Sequence, residues 1–274
     1  MGTRFRSLAG RVALVTGGGR GIGRAIAQAL VARGAKVGIA DLDAALAERT
    51  AAAIGAVGVA LDVTDRDVFT SGVDEVERRL GPLDVLVNNA GIMPVGPFIE
   101  ESDTATRRIV DVNVHGVLNG MKIVLPRFVA HGRGHLVNVA SMAAKVPAPG
   151  GVTYTGSKHF VLGASDAVRQ ELRGTGVEVT CLMPGPVLTE MMSGLAPARG
   201  VRQATVEEVA AATVAALERP RFAVHVPAAA GRMYALGQLL PRQAREGLMR
   251  LLRTDRVLTE IDREARRAYE ERVR

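Results

Sequence analysis

The sequence predicts a doubly wound α/β fold: a parallel sheet of about seven strands, helices on both faces, and a helical extension at the C-terminus. Three observations carry that expectation. Short, Val-rich apolar runs bounded by Gly, Asp or Asn alternate with longer helix-compatible stretches as far as Pro227, the pattern of successive βαβ units. Aromatic residues make up only 3% of the chain and Trp is absent, so the core is built from Ala, Val, Leu and Ile, a mixture suited to helices on a buried parallel sheet. The length of 274 residues, with 47% hydrophobic and 23% charged side chains, suits one α/β domain rather than a disordered or fibrous chain.

The first expected strand, residues 11–16, runs into a glycine-rich turn, and a helix follows over 22–33. The second, 36–40, ends at Asp41 ahead of a helix over 44–53, and the third, 57–61, closes on Asp62 and Val63 before a helix over 67–80. Strand four, 83–87, meets Asn88-Asn89-Ala90-Gly91, and one long helix is expected over 105–130. Strand five, 135–140, stops at Ser141, and a helix over 154–173 leads to strand six, 177–182, ahead of Pro184 and Gly185. A last helix over 206–218 precedes strand seven, 223–226. Parallel crossovers are right-handed, so the helices must cover both faces. Residues 1–227 form one domain in this reading, and 228–274 a basic helical extension of it.

A formal net charge of +7 invites a polyanionic partner, but the charge is concentrated: residues 232–274 hold 11 Arg against 7 acidic residues. No Arg run is interleaved with aromatics, so no nucleic-acid partner is expected. In the same tail Leu236, Leu239, Leu240, Leu248, Leu251 and Leu252 recur at roughly helical spacing, interrupted by Pro241 and Gly247. The favoured reading is an amphipathic lid packed on the domain or on a second subunit; the alternative is contact with an anionic membrane surface. A single cysteine, Cys181, makes no intrachain disulfide, and no cluster of metal ligands is visible. Residues 1–10 lack a signal-peptide apolar stretch, Arg6 stands where a myristoylation motif wants Ser or Thr, and no apolar run reaches membrane-spanning length. The expectation is a cytoplasmic protein without a metal.

Thr16-Gly17-Gly18-Gly19-Arg20-Gly21-Ile22-Gly23 sits between a strand and a helix. There, glycines allow close backbone approach to a pyrophosphate, and the helix presents N–H groups and a positive dipole end. Gly17, Gly21 and Gly23 are the expected cradle of a dinucleotide, with Gly19, Arg20 and Ile22 beside it. Asp41 ends the second strand 18 residues after Gly23, near the position from which a carboxylate bonds both hydroxyls of an adenosine ribose and repels a 2′-phosphate. Leu42 lies next to it. Arg20 pulls the other way, since it can attract that phosphate, but a carboxylate on the ribose excludes a dianion directly. NAD is therefore expected over NADP. The structural competitor for Asp41 is a helix N-cap. Asp62-Val63 and Asn89-Ala90-Gly91 fall at the carboxyl edge of the sheet, where they would flank the adenine and its ribose.

Tyr154 and Lys158 are four residues apart and so share a helix face. A free phenol has a pKa of ~10, and a nearby ammonium favours the phenolate; Lys158 is one of only four lysines in the chain. Together with the glycine turn, Asn88–Gly91, a Ser 13 residues before the Tyr, and Pro184-Gly185-Pro186-Val187-Leu188-Thr189, the pair occurs in an order and spacing that resembles the short-chain dehydrogenase/reductase family, with its Rossmann-like NAD(P)-binding fold. The resemblance covers roughly residues 8–226. It implies an oxidoreductase moving a hydride between a nicotinamide cofactor and a secondary alcohol or ketone. In it Tyr154 is the general acid/base, Ser141 holds the substrate oxygen, and Lys158 lowers the Tyr pKa and holds the nicotinamide ribose. Asn113 supports a proton relay, and Pro184, Gly185, Val187 and Thr189 pass beside the carboxamide.

The segments that would surround the substrate carry Met93, Met142, Val146, Met191, Met192 and Leu195, with Lys145 and Glu190 as their only charges, which suits a lipophilic alcohol or ketone. Residues 189–204 read as a mobile lid. The resembled family assembles through its long central helices, here 105–130 and 154–173, implying a homodimer or homotetramer. A non-catalytic dinucleotide-binding regulatory or scaffolding protein is the alternative, although it would have no chemical need for Asn113, Ser141, Tyr154 and Lys158.

Overall fold

Among the described residues, which in the computed structural model are 7–273, seven strands pair in one parallel sheet. Arg6, read above, falls with residues 1–6 outside the described residues. In chain order the strands are β1 (Val12–Thr16), β2 (Lys36–Asp41), β3 (Val57–Ala60), β4 (Val85–Asn88), β5 (Gly134–Val139), β6 (Val177–Pro184) and β7 (Ala223–Val226). Their spatial order is β3-β2-β1-β4-β5-β6-β7, so the chain winds one way from β1 to β3 and then crosses back to β4. The crevice at the carboxyl ends of β1 and β4 is where the order reverses, the place where such sheets bind ligands.

Alternation along β1 shows how both faces are buried. Ala13 and Val15 pack with Ile26 and Leu30 of α1 (Gly21–Ala32), Ala47 and Ala51 of α2 (Ala44–Ile54), and Val209 and Val214 of α7 (Val206–Glu218). Val12 and Leu14 face the opposite layer, with Phe69 and Val73 of α3 (Arg66–Leu80), Val124 and Phe128 of α5 (Gly116–Ala130), and Val161 of α6 (Val152–Glu171). Several helix starts are capped by side chains: Asp43 accepts from Leu46 N–H at 2.9 Å, Asp65 from Val68 N–H at 3.0 Å, and Thr205 with Glu208 forms a capping box. Helix α1 has no side-chain cap and no acidic residue in its first turn. Its first N–H groups face the crevice.

The single helix expected over 105–130 is two helices, α4 (Asp103–Val110) and α5, joined by a π-helical turn at Asp111–His115. The wide turn lets the buried Asn113 amide reach the backbone of Ile92, and Gly116 brings the helix so close that a Cβ there would lie 2.7 Å from Val63 Cγ2.

The tail forms α8 (Ala228–Gly237), α9 (Arg242–Leu251) and α10 (Arg263–Val273). Its docking differs from the expectation. The leucines at 236, 239, 240, 248 and 251 are exposed, whereas Leu258, Arg266 and Tyr269 are buried against the domain. Among the described residues no helix is long and apolar enough to cross a membrane, and no group of His, Cys, Asp or Glu could hold a metal ion.

Candidate active site

The glycine turn is stapled to the end of β4. Asn89 Nδ2 donates to Thr16 O (2.9 Å) and Gly17 O (3.1 Å), while Thr16 Oγ1 accepts the backbone N–H groups of Asn89 (3.0 Å) and Ala90 (3.1 Å). Gly17 and Gly21 have φ of 59° and 52°, left-handed values that disfavour any Cβ. A Cβ on Gly23 would lie 2.3 Å from Gly17 O, so only glycine lets the first turn of α1 close on the loop. Gly19 N–H donates to Asp41 Oδ2 at 3.0 Å and Thr50 Oγ1 to Gly19 O at 3.0 Å, fixing the outer rim.

Asp41 thus sits at the end of β2 facing the turn, and it also accepts from Asp43 N–H (3.2 Å). The N-cap of α2 is Asp43, not Asp41. Arg20 lies 3.5 Å from Glu190 in an ion pair that spans the crevice. Asp62 Oδ1 accepts from the backbone N–H and hydroxyl of Thr64 at 2.9 and 2.7 Å, and Val63 O accepts from Asn119. Leu42, Asp62, Val63, Ala90 and Gly91 line the same cavity as the turn. These features fit a dinucleotide: an uncapped helix N-terminus, left-handed glycines and a strand-end carboxylate.

At the other end of the cavity, Tyr154 lies in the first turn of α6, 7% exposed. Beside it stands Ser141, which follows β5; the Ser141 hydroxyl donates to Pro184 O at 3.5 Å and accepts from Ala143 N–H at 3.1 Å. Lys158, one helical turn on and buried, donates to Val139 O at 3.0 Å, and its Nζ lies 5.8 Å from the centre of the Tyr154 ring. Ser157 Oγ donates to Tyr154 O (2.6 Å) and accepts from Asn113 Nδ2 (3.1 Å). Asn113 also exchanges two bonds with the backbone of Ile92, both 2.9 Å. The π-helical turn therefore ties the loop after β4 to α6. Pro184, Gly185, Val187 and Thr189 form a third wall, held by Gly185 N–H to Val226 O (2.8 Å) and by the pairing of Val187 with Ala204.

The electrostatics depart from the expectation in one respect. Burial raises the Tyr154 pKa above its ordinary value, and only the Ser141 hydrogen bond pulls it down. Burial also brings Lys158 down to about 8. Desolvation outweighs the charge that the Tyr-Lys spacing suggested, so the phenol carries its proton at neutral pH.

Three residues of the site escaped the sequence reading. Leu258 packs on Met93 and Tyr154, and Gly150, with φ of 84°, passes so close that a Cβ would lie 2.1 Å from Leu258 O. Tyr269 Oη accepts from Met93 N–H at 2.8 Å. Arg266, fully buried, donates to Met191 O (2.8 Å), Ser193 O (3.1 Å) and Met93 O (2.6 Å), stacks 4.7 Å over the Tyr269 ring and pairs with Glu270 at 3.2 Å. The expected lid at 189–204 is thereby tethered: Asp262 N–H bonds Gly194 O, Ser193 Oγ bonds Ala265 O (both 2.8 Å), and Arg272 pairs with Glu190. Opening it means breaking these bonds or moving α10 too.

The whole cavity encloses about 1710 Å³, room for a dinucleotide and a substrate. The profile of the short chain dehydrogenase family matches residues 11–200. SadH of Mycobacterium tuberculosis, named as an inferred oxidoreductase, is 35% identical over 238 residues, 84% of this chain and 83% of that one. The 1-deoxy-11-beta-hydroxypentalenate dehydrogenase of Streptomyces exfoliatus is 38% identical over 223 residues, 77% of this chain and 81% of that one. Among solved structures, a short chain dehydrogenase/reductase of Burkholderia phymatum in complex with NAD superimposes with a TM-score of 0.78 at 27% identity, covering 85% of this chain and 94% of that one. Fold, cradle, buried Tyr154 and these matches lead to one conclusion: the chain belongs to the short chain dehydrogenase family of NAD(P)-dependent oxidoreductases acting on CH–OH groups.

Proposed function

We propose that this enzyme interconverts a lipophilic secondary alcohol and its ketone, with Tyr154 as general acid/base and NAD as cofactor. The observation that carries the reading is the buried Tyr154, which shares one cavity lining with Ser141 and, one helical turn on, Lys158, where the dinucleotide cradle meets an apolar wall. When bound, the nicotinamide gives or takes the hydride. In the reducing direction the Tyr154 phenol gives its proton to the carbonyl oxygen, and Ser141 Oγ donates a hydrogen bond to that same oxygen. In the oxidising direction the phenolate takes the hydroxyl proton. The Lys158 ammonium favours the phenolate and has N–H groups left for ribose hydroxyls. Asn113 supports the relay by holding Ile92 and Ser157 beside Lys158.

Asp41 supports NAD over NADP, because its carboxylate is fixed by Gly19 and Asp43 N–H groups at the end of β2 while Arg20 is engaged with Glu190. The substrate class is supported by what occupies the charges of the wall: on the α9 side Arg242 is bonded to Glu246 and Arg245 to Gln238, both at 2.7 Å. Lys145 Nζ lies 5.0 Å over the Tyr234 ring, and Glu190 pairs with Arg20 and Arg272. Met93, Met191, Met192 and Leu195 gather around Tyr154 and Leu258. We further propose a cytoplasmic homodimer or homotetramer assembled through the outer faces of α5 and α6.

Cofactor-absorbance kinetics with NAD and NADP against a panel of alcohols and ketones tests this reading. Wild type is expected to prefer NAD and medium- or long-chain, apolar substrates over sugars and anionic metabolites. Tyr154→Phe should lose at least about a thousandfold in kcat, within the range general acid/base catalysis supplies, while still binding NAD. Near-normal turnover in that variant would sink the mechanism.

A further inference from the structure

Of the fourteen large hydrophobic side chains exposed among the described residues, six fall within residues 233–251. Met233 is 57% exposed, Leu236 67%, Leu239 81% and Leu251 70%, with Leu240 and Leu248 beside them. Leu236 lies in the last turn of α8, Leu239 and Leu240 follow in the turn after it, and Leu248 and Leu251 form a stripe on α9. A cluster of this kind marks a surface that meets a partner. Its charge is one-sided, because residues 232–253 contain five Arg and one Glu. Its place is equally specific. Met233 and Tyr234 of α8 and Arg242, Arg245, Leu248 and Met249 of α9 line the substrate cavity, so the exposed leucines and arginines stand at its border.

We propose that α8 and α9 rest on an anionic lipid bilayer, with the cavity mouth turned toward the acyl chains. Leucines sink into the interface while arginines meet lipid phosphates, a pairing that supplies attraction from both terms. A second copy of the chain fits the face less well, because a two-fold contact would set one five-Arg surface against another. The inference rests on the lipophilic-substrate reading: an apolar alcohol dissolved in a bilayer reaches Tyr154 through this mouth without crossing water.

Sedimentation of the full chain with phosphatidylcholine vesicles, with and without phosphatidylserine, tests the proposal. Wild type should pellet with the anionic vesicles and stay in solution with the neutral ones. A triple variant, Leu236→Ser, Leu239→Ser and Leu251→Ser, and a double variant, Arg232→Glu and Arg250→Glu, should each bind anionic vesicles at least about tenfold more weakly. None of these five residues lines the cavity, so NAD binding and turnover of a short, water-soluble alcohol should match wild type. Failure of wild type to pellet, or a Leu variant that pellets like wild type, would overturn the proposal. If ultracentrifugation showed the Leu changes splitting a dimer that ignores vesicles, the face would belong to a second copy. A protein that pellets but turns over only sugars would count against the substrate reading alone.

Discussion

A phenol largely withdrawn from water keeps its proton, and that sets the pH behaviour expected of Tyr154. Its raised pKa leaves the acid form present at neutral pH, so kcat/KM for ketone reduction should be flat from about pH 6 to 8 and fall only in more alkaline solution. Alcohol oxidation needs the phenolate and should rise with pH. Lys158 limits that rise: with its pKa lowered to about 8, the ammonium supporting the phenolate is present below that value and lost above it. Profiles in both directions check this, and Lys158→Met should move the oxidation limb to higher pH. An unmoved limb would remove Lys158 from the role. Much at this scale was legible. The Tyr154–Lys158 pair follows from helical spacing, and the Gly17, Gly21 and Gly23 pattern from what a tight turn demands. The sign of the Tyr154 shift was not, because desolvation depends on burial, which spacing does not encode. Nor were Ile92 and Ser157 readable as the partners of Asn113.

Between elements, the Arg266 guanidinium is the most connected of the ties between α10 and the lid segment. Arg266 satisfies carbonyls from Met93, Met191 and Ser193, three acceptors that lose their partner at once if it is removed. Arg266→Met should therefore cost about 2–4 kcal/mol of stability, measured as a shift in the urea midpoint at unchanged m-value. Arg266→Lys, which reaches fewer of the three, should recover part of the loss; full stability in the Met variant would show that the clamp contributes nothing. The seven strands and most helices stood in the sequence because buried parallel strands read as Val-rich runs. The break in the helix expected over 105–130 did not, since a π-helical turn keeps the residue types of a helix. The docking of α10, within the expected helical extension, was not legible for a different reason: its buried face is Arg266 and Tyr269, which no search for apolar periodicity finds.

For the molecule as a whole, α6 offers a face suited to self-association. Val152 and Phe160 are exposed there, and Gly156 and Gly163, on the same stripe, have no atom within 4 Å of where a Cβ would stand. Two such helices can approach closely. Phe160→Glu should lower the sedimentation coefficient to that of a lighter species, and an unchanged coefficient would move the interface elsewhere. The doubly wound architecture was readable from the alternation of runs, but the course of the tail was not: its leucines, read as packing on the domain or on a second subunit, are exposed on the single chain. The Asn89 bonds to Thr16 and Gly17 carry one more consequence, in folding. They join groups separated by 72 and 73 residues, across the seam where the two windings of the sheet meet. Contacts of such sequence separation form late, so a refolding chain that has completed its first βαβ unit still has no rigid nucleotide cradle. Affinity for the dinucleotide is acquired when the halves dock, which makes the ligand a reporter of the finished sheet and a brake on its reopening.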